Sequence, residues 1–273
     1  MNLSQLSNFG SSLENTIRQP MYFIGHGSPM NAIQNNSFTQ SLEKIGQSFT
    51  EKPAVILVIS AHWLTRGTLV TNSENNTTIY DFGGFPDELH QVKYPTKGSP
   101  ETAKEVKLSI KSTIIQDDTR WGLDHGAWTV LKHIFPKADI PVIQLSIDAT
   151  KPPLYHFELA QELKLLRKKG VLIIGSGNIV HNLRQISFDE YALPFEWAVE
   201  FDQNVKSFLQ KRDYKQLINY SNLGTSAQLS VPTNDHYLPM LYILGLSEPN
   251  DNMEFTYEEI QNSSISMRCF KMQ

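Results

Sequence analysis

Cysteine is nearly absent. Cys269 is the only one in 273 residues, so the chain can form no internal disulfide and no Cys-x-x-Cys metal or redox motif. That fits a reducing, cytoplasmic setting. No apolar run reaches the roughly 18 residues a membrane-spanning helix needs. The first residues, MNLSQLSNFGSSLENTIRQP, have neither the basic start nor the apolar stretch of a secretion signal. Basic blocks are missing too: 24 Lys and Arg stand against 28 Asp and Glu, a net charge of -4, which argues against nucleic acid or an anionic membrane as a partner. There is no internal repeat, low-complexity tract or Gly/Ser linker to divide the chain. Four catalytic or nucleotide motifs are also lacking. HExxH and G-x-S-x-G do not occur, and "GSGN" at 175–178 lacks both the third glycine of a dinucleotide loop and the lysine of a P-loop.

What is present is a rhythm of short apolar runs and amphipathic stretches. Met21–Gly25, Val55–Ser60, Pro141–Asp148 and Val171–Gly175 read as strands buried on both faces. Ser264–Phe270 alternates and reads as an edge strand. Helical spacing runs over Ser37–Phe49, Pro100–Ile115, Tyr155–Lys169 (closed by Gly170) and Glu196–Lys211. Strands alternating with helices predict a single α/β domain, its central, largely parallel or mixed sheet covered by helices on both faces. No break in composition divides the chain, so one domain is the simpler reading. One stretch breaks the rhythm: 72–99, rich in Gly, Pro and aromatics, is expected to pack over a site.

The eight histidines are not scattered evenly. His26 follows the first strand in "GHGSPM", His62 follows the second in "SAHW", and His181 comes just after the fourth in "GSGNIVHN". Ligands of parallel α/β sheets bind beyond the carboxyl ends of strands, and imidazole is the commonest metal ligand, so these positions point to a metal site assembled from strand ends. Two more stand out. His125 in "DHGAW" has an acidic neighbour and flanking tryptophans, which suits an acid/base group; Asp124 would equally well cap a helix over Ala127–Phe135. His236 in "NDHYLP" opens an apolar helix, where Asn234 or Asp235 would cap. His90, His133 and His156 read as structural, and Cys269 as core.

Taken in order, "GHGSPM", "SAHW", "DFGGFP", "DHGAW", "GSGNIVHN" and "HYLP" resemble the 4,5-DOPA extradiol dioxygenase group of the class III, protocatechuate 4,5-dioxygenase-like ring-cleaving enzymes, its bacterial members above all. The resemblance runs from about residue 20 to the C-terminus, and so implies an N-terminal extension over 1–19 and a class III extradiol dioxygenase-like catalytic domain over 20–273. It implies that His26, His62, His181 and His236 contact a metal, that His125 moves protons and holds oxygen or substrate, and that the loop around Asp81–Pro86 lines the pocket. It also implies a catechol such as DOPA as substrate, with O2 as co-substrate. Plant relatives that make betalain pigments carry a His-Pro pair where this chain has His181-Asn182-Leu183-Arg184, so betalamic-acid production is not the expected role. Zinc is the metal expected in isolated protein and Fe2+ the one expected for ring cleavage, because d¹⁰ zinc cannot pass electrons. The competing classes are a zinc-dependent hydrolase of a small substrate, with His125 or Asp124 as base, and a non-catalytic metal-binding protein on the same scaffold.

Overall fold

A computed structural model describes residues 18–189 and 192–273; most of the expected 1–19 extension lies outside them. Strands β1 (Met21–Gly25), β2 (Val55–Ser60), β3 (Val142–Gln144), β4 (Val171–Gly177), β5 (Met253–Tyr257) and β6 (Cys269–Met272) form one sheet in the order β3-β2-β4-β1-β6-β5. The first four are mutually parallel, while β6 runs antiparallel to both β1 and β5. The sheet is therefore mixed and mostly parallel, as the strand–helix rhythm predicts.

The unbroken apolar runs follow from burial on both faces. Met21, Phe23, Leu57 and Ile173 point to one side, and Tyr22, Ile24, Ile56 and Leu172 to the other. Helices α1 (Ser37–Gln47) and α3 (His125–Ile134) cover the second side with Phe38, Leu42, Trp128 and Leu131; α2 (Pro100–Ser109) lies between them in sequence and packs on the first side through Ala103 and Val106. Helices α4 (Pro153–Gln161), α5 (Glu196–Lys211) and α6 (Leu238–Leu246) complete the first side. All nine residues of α6 are buried, which is why it reads as apolar all round. None of the helices is long and apolar enough to cross a membrane, among the described residues.

Several boundaries differ from the sequence pattern, each for a tertiary reason. The run Pro141–Asp148 breaks after Gln144, because Leu145 bridges to Val70 and Ile147–Asp148 leaves to pair with Leu64–Thr65. The helix from Pro100 stops at Ser109, and Ile115–Asp118 instead becomes a strand beside Thr68–Thr71. The Tyr155–Lys169 pattern splits into α4 and a short helix at Lys164–Lys168; the Glu162 carboxylate between them accepts backbone hydrogen bonds from Lys111 and Ser112. The expected edge strand over Ser264–Phe270 is a correction: β6 is interior, flanked by β1 and β5, and Ile265–Ser266 pairs locally with Ile260–Gln261. At the N-terminal end of the described chain, Arg18 is anchored to Asp251 at 2.6 Å.

Candidate metal and active site

Four of the five singled-out histidines stand at the carboxyl ends of strands or at a helix start, and the fold brings all five into one cavity of about 310 Å³. His26 leaves β1 and is followed by Gly27 at φ +61°, a left-handed turn that an L side chain adopts with strain. His62 leaves β2. His125 is the first residue of α3, whose N-cap Asp124 accepts from the Ala127 N–H. His181 lies past β4, its backbone N–H bonded to Ser230 O at 2.9 Å. His236 precedes α6, and its carbonyl accepts from the Asn178 N–H at 2.9 Å. That contact explains the glycines of "GSGN". A Cβ on Gly177 would stand 2.1 Å from the His236 carbonyl oxygen, so glycine is required for the His236 segment to close onto the sheet.

The hydrogen bonds assign the imidazole tautomers. Ser176 Oγ donates its single proton to Gly126 O at 2.6 Å, so at 3.0 Å it must accept from His26 Nδ1–H. Nε2 of His26 is left as a bare lone pair. His236 Nδ1–H donates to the Asp235 carboxylate, and its Nε2 is buried with no hydrogen-bond partner among the described residues. His62 turns Nδ1 toward Asp81 at 3.4 Å and brings Nε2 to 3.0 Å from His26 Nε2. Nitrogens of His26, His62 and His236 lie within 4.8 Å of one another. Burial, and then the neighbouring imidazoles, push His26 and His236 well below the usual histidine range. Burial and then His125 bring His62 down to about 3. Three neutral rings converging on a buried space, with Nδ1–H of His26 committed to Ser176 and that of His236 to Asp235, form a donor set that fits a divalent transition metal.

His181 is placed differently. Its ring lies parallel to that of His236, with centroids 3.5 Å apart and 7° between planes. A nitrogen lone pair lies in its ring plane, so stacked rings do not aim at one common point. A ring nitrogen of His181 lies within 4.8 Å of ligand atoms of Asp235 and His236, in a group that includes neither His26 nor His62.

His125 is held by a carboxylate that the sequence pattern did not single out as functional. Asp81 accepts the His125 backbone N–H at 2.9 Å through Oδ1 and its ring Nδ1–H at 3.0 Å through Oδ2. Burial alone would raise Asp81, but the hydrogen bonds from His125 outweigh it and keep the carboxyl below its ordinary value. In the sequence Asp81 is marked by its place in the 72–99 loop and in "DFGGFP", which the resemblance implies lines the pocket; the loop does fold over the cavity, and Asp81, Phe82 and Phe85 line it. Asp124 faces the other way: it is fully buried, accepts from Ser60 Oγ at 2.6 Å, and is raised by burial. It caps α3. His156 and Cys269 are buried away from the cavity, as expected of core residues.

Residues 20–268 match the family described as the catalytic LigB subunit of aromatic ring-opening dioxygenase. The chain is 43% identical over 254 residues to the 4,5-DOPA dioxygenase extradiol of Escherichia coli (strain K12), covering 92% of this chain and 93% of the relative. It is 36% identical over 260 residues to the 4,5-DOPA dioxygenase extradiol of Beta vulgaris, covering 92% and 95%. A crystal structure of an uncharacterized protein from Escherichia coli K12 aligns with a TM-score of 0.82 at 38% identity, covering 94% of this chain and 100% of that one.

Proposed function

The chain belongs to the aromatic ring-opening dioxygenases of the LigB family, metal-dependent enzymes that act on an aromatic substrate with O2, and from that premise we propose that it performs extradiol cleavage of a catechol such as DOPA, at the 4,5 bond of the DOPA ring. The observation that carries this reading is the pairing, in one cavity, of three converging neutral imidazoles with a carboxylate-clamped fourth.

His26, His62 and His236 would hold the metal through their bare nitrogens. Iron(II) there supplies the electron path between a catechol and dioxygen that closed-shell zinc lacks, while the all-nitrogen donor set also suits zinc; we assign Fe2+ to catalysis and expect zinc in protein as isolated. His125 is the proton carrier. With Nδ1–H committed to Asp81, its Nε2 is the base that takes a catechol hydroxyl proton and later returns it, and the ionised Asp81 stabilises the imidazolium in between. Phe82, Phe85, Leu183, Ile186 and Ile265 give the ring apolar walls and keep water from the reacting carbons. His181, stacked on His236, steadies that ring and borders the substrate. The setting we assign is the cytoplasm, where a lone buried Cys269 meets no oxidising partner.

The test is reconstitution. Metal-free protein loaded with Fe2+ without oxygen and mixed with DOPA should, on admission of air, consume oxygen in proportion to ring-opened product. No uptake with any catechol would contradict the proposal. Oxygen-independent hydrolysis by the zinc form would instead establish the hydrolase alternative.

A further inference from the structure

A second cavity, about 410 Å³, adjoins the histidine cavity and shares Ser28, Phe85, Ile186 and Asn262 with it. Beyond that shared rim its walls carry the amides of Asn31, Gln34 and Gln261, the Ser187 hydroxyl, the backbone of Gly83–Gly84 and the ring of Phe188, which is 99% exposed. No ionisable side chain lines this outer cavity, among the described residues. In the inner one the only ionisable groups among the described residues are the five histidines and Asp81, and no described Lys or Arg lines either space.

The junction is a built feature. Asn262 and Ser263 lie at φ +53° and +63°, two consecutive left-handed residues that reverse the chain between Ile260–Gln261 and Ile265–Ser266. Asn262 Nδ2 donates to Ser187 O at 2.9 Å, and the Ser187 N–H donates to Asn262 O at 2.9 Å. This two-way tie joins the segment that carries Ile186 and Phe188 to the hairpin at the rim the two cavities share.

Resting on the ring-opening function above, we propose that the outer cavity is the subsite for the catechol's ring substituent, and that it selects substituents that are uncharged or charge-balanced, an amino-acid zwitterion included. A carboxylate attached directly to the ring is excluded. It would lie in the inner cavity, where no Lys or Arg among the described residues can pair with it, a metal on His26, His62 and His236 would be taken up by the ring hydroxyls, and Asp81 is a further carboxyl group already facing His125. A substituent one or more carbons longer passes Asn262 and meets amides and hydroxyls, which hydrogen-bond either end of a zwitterion without favouring a net charge.

The experiment ranks 4-methylcatechol, DOPA and 3,4-dihydroxybenzoate on the zinc-loaded full chain, by calorimetric Kd, and on the iron-loaded chain, by kcat/KM. The expected result is that 4-methylcatechol and DOPA exceed the benzoate by about tenfold or more, because the site leaves the benzoate's charge unpaired. Gln34, half-buried in the outer wall, then tests the location. Gln34→Lys should tighten 3,4-dihydroxyphenylpropionate, a net anion, by about threefold while leaving 4-methylcatechol unchanged. Equal handling of the benzoate, or a Gln34→Lys effect shared by 4-methylcatechol, would overturn the proposal. The calorimetric ranking stands whether or not rings open. An intact ranking without oxygen uptake would therefore count against the ring-opening function and uphold the subsite.

Discussion

The Ser176 hydroxyl takes the Nδ1 proton of His26 at 3.0 Å and gives its own to the carbonyl of Gly126 at 2.6 Å. One buried serine at the end of β4 thereby sets the tautomer of a metal-facing histidine and ties it to the first turn of the helix that carries His125. Ser60, its register partner on β2, serves the same helix through Asp124. Ser176→Ala should weaken metal affinity by about 10- to 100-fold with the fold retained, since His26 is then free to place its proton on Nε2. Competition with a chelator reads the affinity, and circular dichroism the fold. Unchanged affinity would show that His26 needs no such partner.

Asp81 and His125 form the second relationship on which the chemistry depends. In Asp81→Asn one oxygen still accepts the backbone N–H, but an amide NH2 replaces the acceptor facing Nδ1 and favours the wrong ring tautomer. Ring opening should fall by about 10²-fold or more while metal content stays full. A variant within a few-fold of the parent would remove Asp81 from the proton-transfer machinery.

Much of this was readable in the chain because it rests on periodicity. β1 and β2 appear as unbroken apolar runs since both their faces are buried, and α5 keeps its pattern over its whole length, Glu196–Lys211. The histidines at strand ends could be found because parallel sheets gather their carboxyl ends on one side. What escaped depends on contacts between distant segments. Asp81 lies in a loop, where no period marks a functional carboxylate, and it meets His125 across 44 positions. Ser176 looks like any residue ending a strand until Gly126 and His26 converge on it. β6 passed for an edge because nothing local shows that Met253–Tyr257 returns to cover its far side.

The Gly177 contact gives a packing prediction. Gly177→Ala would drive a methyl group into the His236 carbonyl and push the His236 segment off the sheet. The expected cost is about 1–3 kcal/mol of stability together with loss of metal affinity. Chemical denaturation and metal titration measure the two. Full affinity in a stable variant would mean that His236 is not held by this contact.

Acid sensitivity has a source outside the site. Burial brings His156, hydrogen-bonded to Tyr242 at 3.0 Å, down to about 4 from 6.5. Below pH 6.5 the unfolded chain takes up the proton and the folded one does not, so the His156 contribution is complete above 6.5 and is lost as pH falls toward 4. Between about pH 7.5 and about pH 5 this amounts to about 2 kcal/mol. His156→Gln should reduce the pH dependence of the urea midpoint of metal-loaded protein by that amount; an unaltered dependence would place the sensitivity elsewhere.

The division of labour among the histidines is tested most directly by metal content and oxygen uptake measured together on five single variants. His26→Ala, His62→Ala and His236→Ala should each lose the metal. His181→Ala should retain it. His125→Ala should retain it as well, yet lose ring opening of the catechol. Full metal in any of the first three, or undiminished ring opening in His125→Ala, would contradict the account.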